Sequence, residues 1–146
     1  MCIRDRNNSL LIIDSETGSI TKKIEAGKSE YYQTPKFIDD ENIVMTLVDG
    51  KGKHIVKFNL KSEKPEMLFS SGYAEMSRPN PIGNLVYFNA SFTGIDNIFA
   101  LNTSSNKVWQ VTSSRFGARD AFVDSTNQNL IYSDYTSDGY LSLIHI

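Results

Sequence analysis

The apolar positions of this chain fall in short runs separated by polar turns. Ile43 to Val48 is a β-rich run, bounded by Asp39-Asp40-Glu41-Asn42 before it and Asp49-Gly50-Lys51-Gly52 after it. The second boundary predicts a hairpin, because glycine accepts the positive φ that tight turns need. His54 to Leu60 forms the next strand, and Lys61-Ser62-Glu63-Lys64-Pro65 turns into Glu66-Met67-Leu68-Phe69. With an opening strand around Lys36-Phe37-Ile38, this makes a four-strand unit from about Pro35 to Ser71. Leu85 to Ala90, the turn Thr93-Gly94-Ile95-Asp96, Asn97 to Leu101 and Val108 to Thr112 repeat the scheme. No segment sustains a 3.6-residue apolar period, so the pattern predicts an all-β chain.

The repetition has a measurable period. Ile55-Val56-Lys57-Phe58-Asn59 lies over Ile98-Phe99-Ala100-Leu101-Asn102 at an offset of 43, which also carries Lys64 onto Lys107 and Leu68 onto Val111. Asn42-Ile43-Val44-Met45 aligns with Asn84-Leu85-Val86-Tyr87 and with Asn129-Leu130-Ile131-Tyr132, at spacings of 42 and 45. Leu10 to Ile24 reads as the back half of an earlier copy, with Ile13-Asp14 over Phe58-Asn59. The run Leu85-Val86-Tyr87-Phe88 has no polar side, as expected of a strand whose sheet is packed on both faces. Four-stranded units of about 40–45 residues packed face to face describe a β-propeller. A β-sandwich would show cleaner in–out alternation and no such repeat. The expected fold is therefore a partial β-propeller of about three four-stranded blade equivalents, with junctions near residues 34, 78 and 121.

At this point the residues resemble a family. Gly94-Ile95-Asp96-Asn97-Ile98-Phe99-Ala100-Leu101-Asn102 followed by Val111-Thr112 is similar to the repeat of TolB-like, WD-repeat-like propellers. Pro35-Lys36-Phe37 resembles the Pro-x-Trp/Phe that opens such a blade, and Pro79-Asn80-Pro81 is a looser match. The likeness covers nearly all of residues 7–140. The family's Ser-Pro-Asp-Gly turn is absent at 38–41, 81–84 and 124–127, and no Trp-Asp pair closes a strand. A ring of ~4–8 blades is the usual closed form. The remaining blades of the same chain are therefore expected partners, and end blades left uncovered imply poor solubility in isolation.

Composition narrows the function classes. The 146 residues are 40% hydrophobic and 22% charged, with a formal net charge of -2, which excludes a generally basic nucleic-acid binder. The longest aliphatic run, Leu10-Leu11-Ile12-Ile13, is too short for a transmembrane helix.

The two ends read as non-native. Leu141-Ser142-Leu143-Ile144-His145-Ile146 can be encoded by CTGTCTCTTATACACATC, and the reverse complement of its first bases encodes Met1-Cys2-Ile3-Arg4-Asp5 and permits Arg6. The string resembles the transposase end sequence of sequencing-library adapters. Residues 1–6 and 141–146 are accordingly expected to be adapter-derived, around a metagenomic fragment at 7–140. That interval has no cysteine, which removes disulfides and thiolate metal sites, and His54 is its only histidine.

Candidate chemistry is sparse. No Gly-x-Ser-x-Gly occurs, and His54 is expected to be a solvated hairpin residue, so no catalytic residue is assigned. Asp134-Tyr135-Thr136-Ser137-Asp138-Gly139 lacks the spacing of a calcium loop and reads as a hairpin. No metal or cofactor is expected. The connections between blades carry aromatic and charged residues, and Tyr31, Tyr32, Tyr73, Arg78, Arg115, Phe116 and Arg119 are candidates for a binding face near the channel mouth. The competing expectation is that Tyr73 and Phe116 plug the gap between blades. Trp109, sharing parity with Val111, is expected in the core. These readings favour a non-catalytic scaffold for a protein, peptide or polysaccharide, within a larger exported bacterial protein of the periplasm or cell envelope. Two alternatives follow from the resemblance. One is the substrate-gating propeller of a prolyl-oligopeptidase-like or tricorn-like serine peptidase, whose catalytic domain would lie elsewhere. The other is the propeller of a Bacteroidetes surface protein followed by a membrane barrel.

Overall fold

The computed structural model describes residues 9–124, 126 and 129–145. Among them there are strands and turns but no helix. Strands β1 (Ser9–Ile13) and β2 (Ile20–Glu25) form a two-stranded sheet. β3 (Tyr31–Phe37), β4 (Asn42–Asp49), β5 (Gly52–Asn59) and β6 (Lys64–Gly72) form the first four-stranded blade. β7 (Met76–Ile82), β8 (Leu85–Ala90), β9 (Asn97–Asn102) and β10 (Val108–Gln110) form the second. β11 (Ala118–Asp124), β12 (Asn129–Thr136) and β13 (Gly139–His145) complete a three-stranded sheet. Each sheet is an antiparallel meander in chain order.

The core lies between the sheets. Every residue from Ile43 to Val48 is buried, and so is every residue from Asn97 to Leu101. Alternate side chains of β4 and β5 go to opposite neighbours. Met45, Leu47, Val56 and Phe58 meet Ile24 of β2, whereas Val44 and Ile55 meet Val86, Phe88 and Phe99 of the second blade. Burying side chains of this size contributes about 1.5–3 kcal/mol each, so the sheets hold one another in place. Phe92, in the β8–β9 turn, closes the end of this layer by packing edge-on against Phe99 at 4.8 Å.

The ladders correct the alignment of the second strands. β4 and β5 pair Thr46 with Ile55, and β8 and β9 pair Asn89 with Ile98. The offset of 43 therefore holds for both strands, and Ile43 corresponds to Val86 rather than Leu85. Asn84, matched in sequence with Asn42, sits in the turn before β8. A one-residue slip exchanges the two faces of a strand, which is why the asparagine match misleads.

Each first strand carries the same irregularity. The register shifts between Gln33 and Lys36, Ser77 and Asn80, and Arg119 and Phe122. Within each shift one non-glycine residue is left-handed: Thr34 at φ 48°, Arg78 at 55° and Asp120 at 58°. Pro35 and Pro79 follow immediately, at bulge positions where the absent N–H leaves no ladder bond unmade. These three strands converge on one cavity of about 380 Å³, lined by Thr34, Arg78, Asn80, Asp120 and Phe122 among others. They are thus the inner strands. At the opposite edge of the blade, Trp109 on β10 is 44% exposed, which corrects the expectation of a core tryptophan.

The third-to-fourth strand turns share one device. Asp14 accepts from the amides of Glu16 and Thr17 at 3.0 and 2.7 Å, Asn59 from Lys61 and Ser62 at 3.0 and 2.9 Å, and Asn102 from Ser104 and Ser105, both at 3.0 Å. An Asx side chain at the strand end thereby replaces a backbone turn partner. Asp39 does the same before β4, accepting from Glu41 and Asn42 at 2.8 Å.

These bonds hold the Asp14 carboxyl below its ordinary range, with the Thr17 amide as the main cause. They lower Asp39 as well, chiefly through the Asn42 side chain. A depressed carboxyl lends stability that is complete above its unfolded pKa, ~3.9, and is lost as the pH falls through the lower folded value. Melting temperature should therefore hold steady at mildly acidic pH and begin to fall below about pH 4. The Asp14→Asn variant should show a shallower fall.

Candidate functional site

The β4–β5 turn, the β6–β7 connection, the β8–β9 turn and the β10–β11 connection all gather at one end of the blades. The Tyr73 hydroxyl donates to the Gly50 carbonyl at 3.0 Å, the Ser91 amide to Glu75 at 3.2 Å, and the Ala118 amide to Asp96 at 2.7 Å. Backbone and side chain thus knit neighbouring connections into one face.

The candidate binding residues divide into three groups. Tyr32 lies in β3, part-buried, with its ring edge-on to Phe58 at 6.2 Å; burial raises its phenol pKa, helped by nearby Glu30. It stands where Met76 stands in the second blade and belongs to the core. Tyr31, also in β3 rather than a connection, is 39% exposed. Tyr73 and Phe116 do occupy connections, but they do not plug the blade gap: they are 83% and 55% exposed, and Phe92 fills the interior. The Arg115 guanidinium lies over the Phe116 ring, 5.6 Å from its centroid. Arg78 and Arg119 belong to β7 and β11, at the bulges, and the structure brings both to one polar cavity of about 230 Å³.

The charges around that cavity are paired across blades. Arg119 donates through Nε to Asp96 Oδ2 at 2.8 Å and through a second nitrogen to the same oxygen. Arg78 is ion-paired with Asp120, and Lys53 with Glu75. Each bond joins one inner strand or connection to a neighbouring blade. The sequence offered no signal for Asn89, which lies in the same cavity wall, buried, with its amide nitrogen donating to the Ala118 carbonyl at 3.1 Å.

His54 departs from its expected solvated state. It is 2% exposed, with Nε2 bonded to Asp49 Oδ1 at 3.0 Å and Nδ1 to Ser70 Oγ at 2.9 Å. The His54 contact is the main cause of the low pKa of Asp49. The residue types are those of a hydrolytic triad, yet the second blade performs the same task without a base. There Asn97, equally buried, accepts from the Thr112 hydroxyl at 3.0 Å and the Ser114 amide at 2.8 Å. The role common to both is to fasten the fourth strand to the start of the third. The acidic segment at 134–139 lies on β12, its turn and the start of β13, with Thr136 paired to Gly139. Among the described residues no group of three or more His, Cys, Asp or Glu side chains is placed to hold a metal.

The sheets and their convergent inner strands define the class: an all-β chain with β-propeller architecture. Solved structures agree. The chain is similar to TolB from Acinetobacter baumannii, with a TM-score of 0.75 at 16% identity, over 91% of this chain and 34% of that one. It is similar to a TolB from Agrobacterium tumefaciens, with a TM-score of 0.65 at 18% identity, over 85% of this chain and 49% of that one. A chain of a nidogen/laminin complex gives a TM-score of 0.68 at 14% identity, over 94% of this chain and 54% of that one. The chain thus spans between a third and about half of the length of these propeller-containing structures. At such identities the likeness establishes the fold. No protein-family model and no curated protein matches the sequence.

His54→Ala should lower stability by about 1–3 kcal/mol, because it strands hydrogen-bonding groups on Asp49 and Ser70. His54→Asn, which copies the second blade, should lower it less. Chemical denaturation of the two variants measures the difference.

Proposed function

We propose that the chain belongs to a non-catalytic β-propeller scaffold that presents its connection face to a protein, peptide or polysaccharide. The carrying observation is exposure: Tyr73 is 83% and Phe116 55% exposed at that end, with Ile95 at 37% beside them. Large aromatics exposed together are the residues most able to anchor a partner. The connections that hold them are tied to neighbouring blades by the Tyr73–Gly50 bond and the Arg119–Asp96 pair, so the face is pre-organised. The likeness to a chain of a nidogen/laminin complex supports a protein partner. The likeness to two TolB chains supports a periplasmic or cell-envelope setting within a larger exported bacterial protein.

The double variant Tyr73→Ala, Phe116→Ala tests this reading. Both residues stand outside the core, so the melting temperature should change little. Retention of envelope proteins or polysaccharides on the immobilised chain should fall by about tenfold or more, as for loss of interface anchors. Unchanged retention, or unfolding of the variant, would contradict it.

A further inference from the structure

The cavity beside Arg119 differs from its counterpart one blade earlier. At the junction between the second blade and the sheet that follows, its wall carries Asn89, Asp96 and Arg119. By the ladder register, the same three places at the previous junction hold Thr46, Lys53 and Ser77. Thr46 is fully buried there and its hydroxyl has no hydrogen-bond partner. The backbone is repeated while the polar groups are not, so packing alone does not dictate the set around Asn89.

Three features of this set define a ligand. The first is charge. Arg119 is paired with Asp96, Arg78 with Asp120 and Glu75 with Lys53. A charged guest would have to break one of these pairs, so the cavity favours an uncharged one. The second is hydrogen bonding. The Asn89 amide nitrogen is committed to the Ala118 carbonyl, which turns the side-chain oxygen, an obligate acceptor, toward the cavity in a residue only 6% exposed. Glu75 and Asp96 are also acceptors only, Arg78 and Arg119 are donors only, and Ser77 can do either. A hydroxyl both donates and accepts, so a ring bearing several hydroxyls can serve such a mixed wall at every point. A peptide amide has a fixed donor end and a fixed acceptor end. The third is size. About 230 Å³ lies below the ~300–1,000 Å³ of pockets for drug-sized ligands, which fits a single ring.

We propose that this cavity binds one uncharged sugar residue, as the terminal unit of a glycan presented to the connection face. The proposal rests on the reading of that face as a ligand-binding surface, and it selects polysaccharide among the ligands considered. Ser77 is the selective probe, because its hydroxyl lines the cavity and takes part in none of the ion pairs described.

The test is saturation-transfer and chemical-shift NMR on the full chain with glucose and N-acetylglucosamine, each compared with glucuronate and glucosamine as charged counterparts. The expected result is binding of a neutral sugar in the millimolar range, with shifts at Asn89 and Arg119 and weaker binding of the charged forms. Ser77→Ala should weaken binding about fivefold, the loss of one neutral hydrogen bond. Asn89→Ala should weaken it further, with a melt recorded alongside, since that change also removes the bond to Ala118. No transfer to either neutral sugar at tens of millimolar would overturn the proposal. So would binding that Ser77→Ala leaves unchanged, or a preference for the charged forms. If sugars fail while the Tyr73/Phe116 double variant still loses a protein partner, the cavity proposal falls and the scaffold reading stands. If sugars bind while the double variant retains every partner, the cavity proposal stands and the aromatic surface falls.

Discussion

The whole arrangement depends on strands that are apolar on both faces. Ile43 to Val48 are buried without interruption, and a sheet built on such strands must be covered on two sides. Each blade is therefore the solvent-excluding partner of the next. Val44 and Ile55 face Phe88 and Phe99 on one side, while Met45 and Phe58 face Ile24 on the other. Stacking sheets by their faces converges their first strands and leaves their fourth strands outermost. That single constraint places the binding face, the inner cavity and the exposed edge at Trp109.

Polar bonds then fix details that the apolar layers leave free. The start of each third strand is fastened to the fourth by a buried polar residue, His54 in one blade and Asn97 in the next. Inner strands are linked across junctions by Arg78 with Asp120, and by Asn80 with the Ala121 carbonyl at 3.4 Å. The left-handed residues at the bulges aim these side chains along the inner wall. Backbone strain of this kind is held in place by its surroundings, here a proline or alanine step inside a packed strand.

Much of this was legible in the sequence. The period of 43 and the two-sided apolar runs carried the fold, because both are imposed by the stacking itself. What could not be read depends on contacts between residues far apart in the chain. His54 looks like a turn residue until β6 supplies Ser70, and Tyr32 looks like a loop aromatic until Phe58 is set beside it. Arg78 and Arg119 were found by composition, but their meeting at one cavity follows from bulges that no local pattern announces. Asn89 was missed because a lone asparagine in an apolar strand reads as an imperfection. Trp109 was misplaced because parity identifies a face of a strand, whereas its exposure follows from the position of β10 at the blade edge.

Amide hydrogen exchange tests the central claim most directly, since exchange reports local stability strand by strand. If stacking of two-sided sheets holds the fold, amides of β4, β5, β8 and β9 should exchange slowest and together, and those of β10 should exchange much faster. Protection of β10 equal to that of the central strands, or loop-like exchange in β4 and β9, would contradict the account.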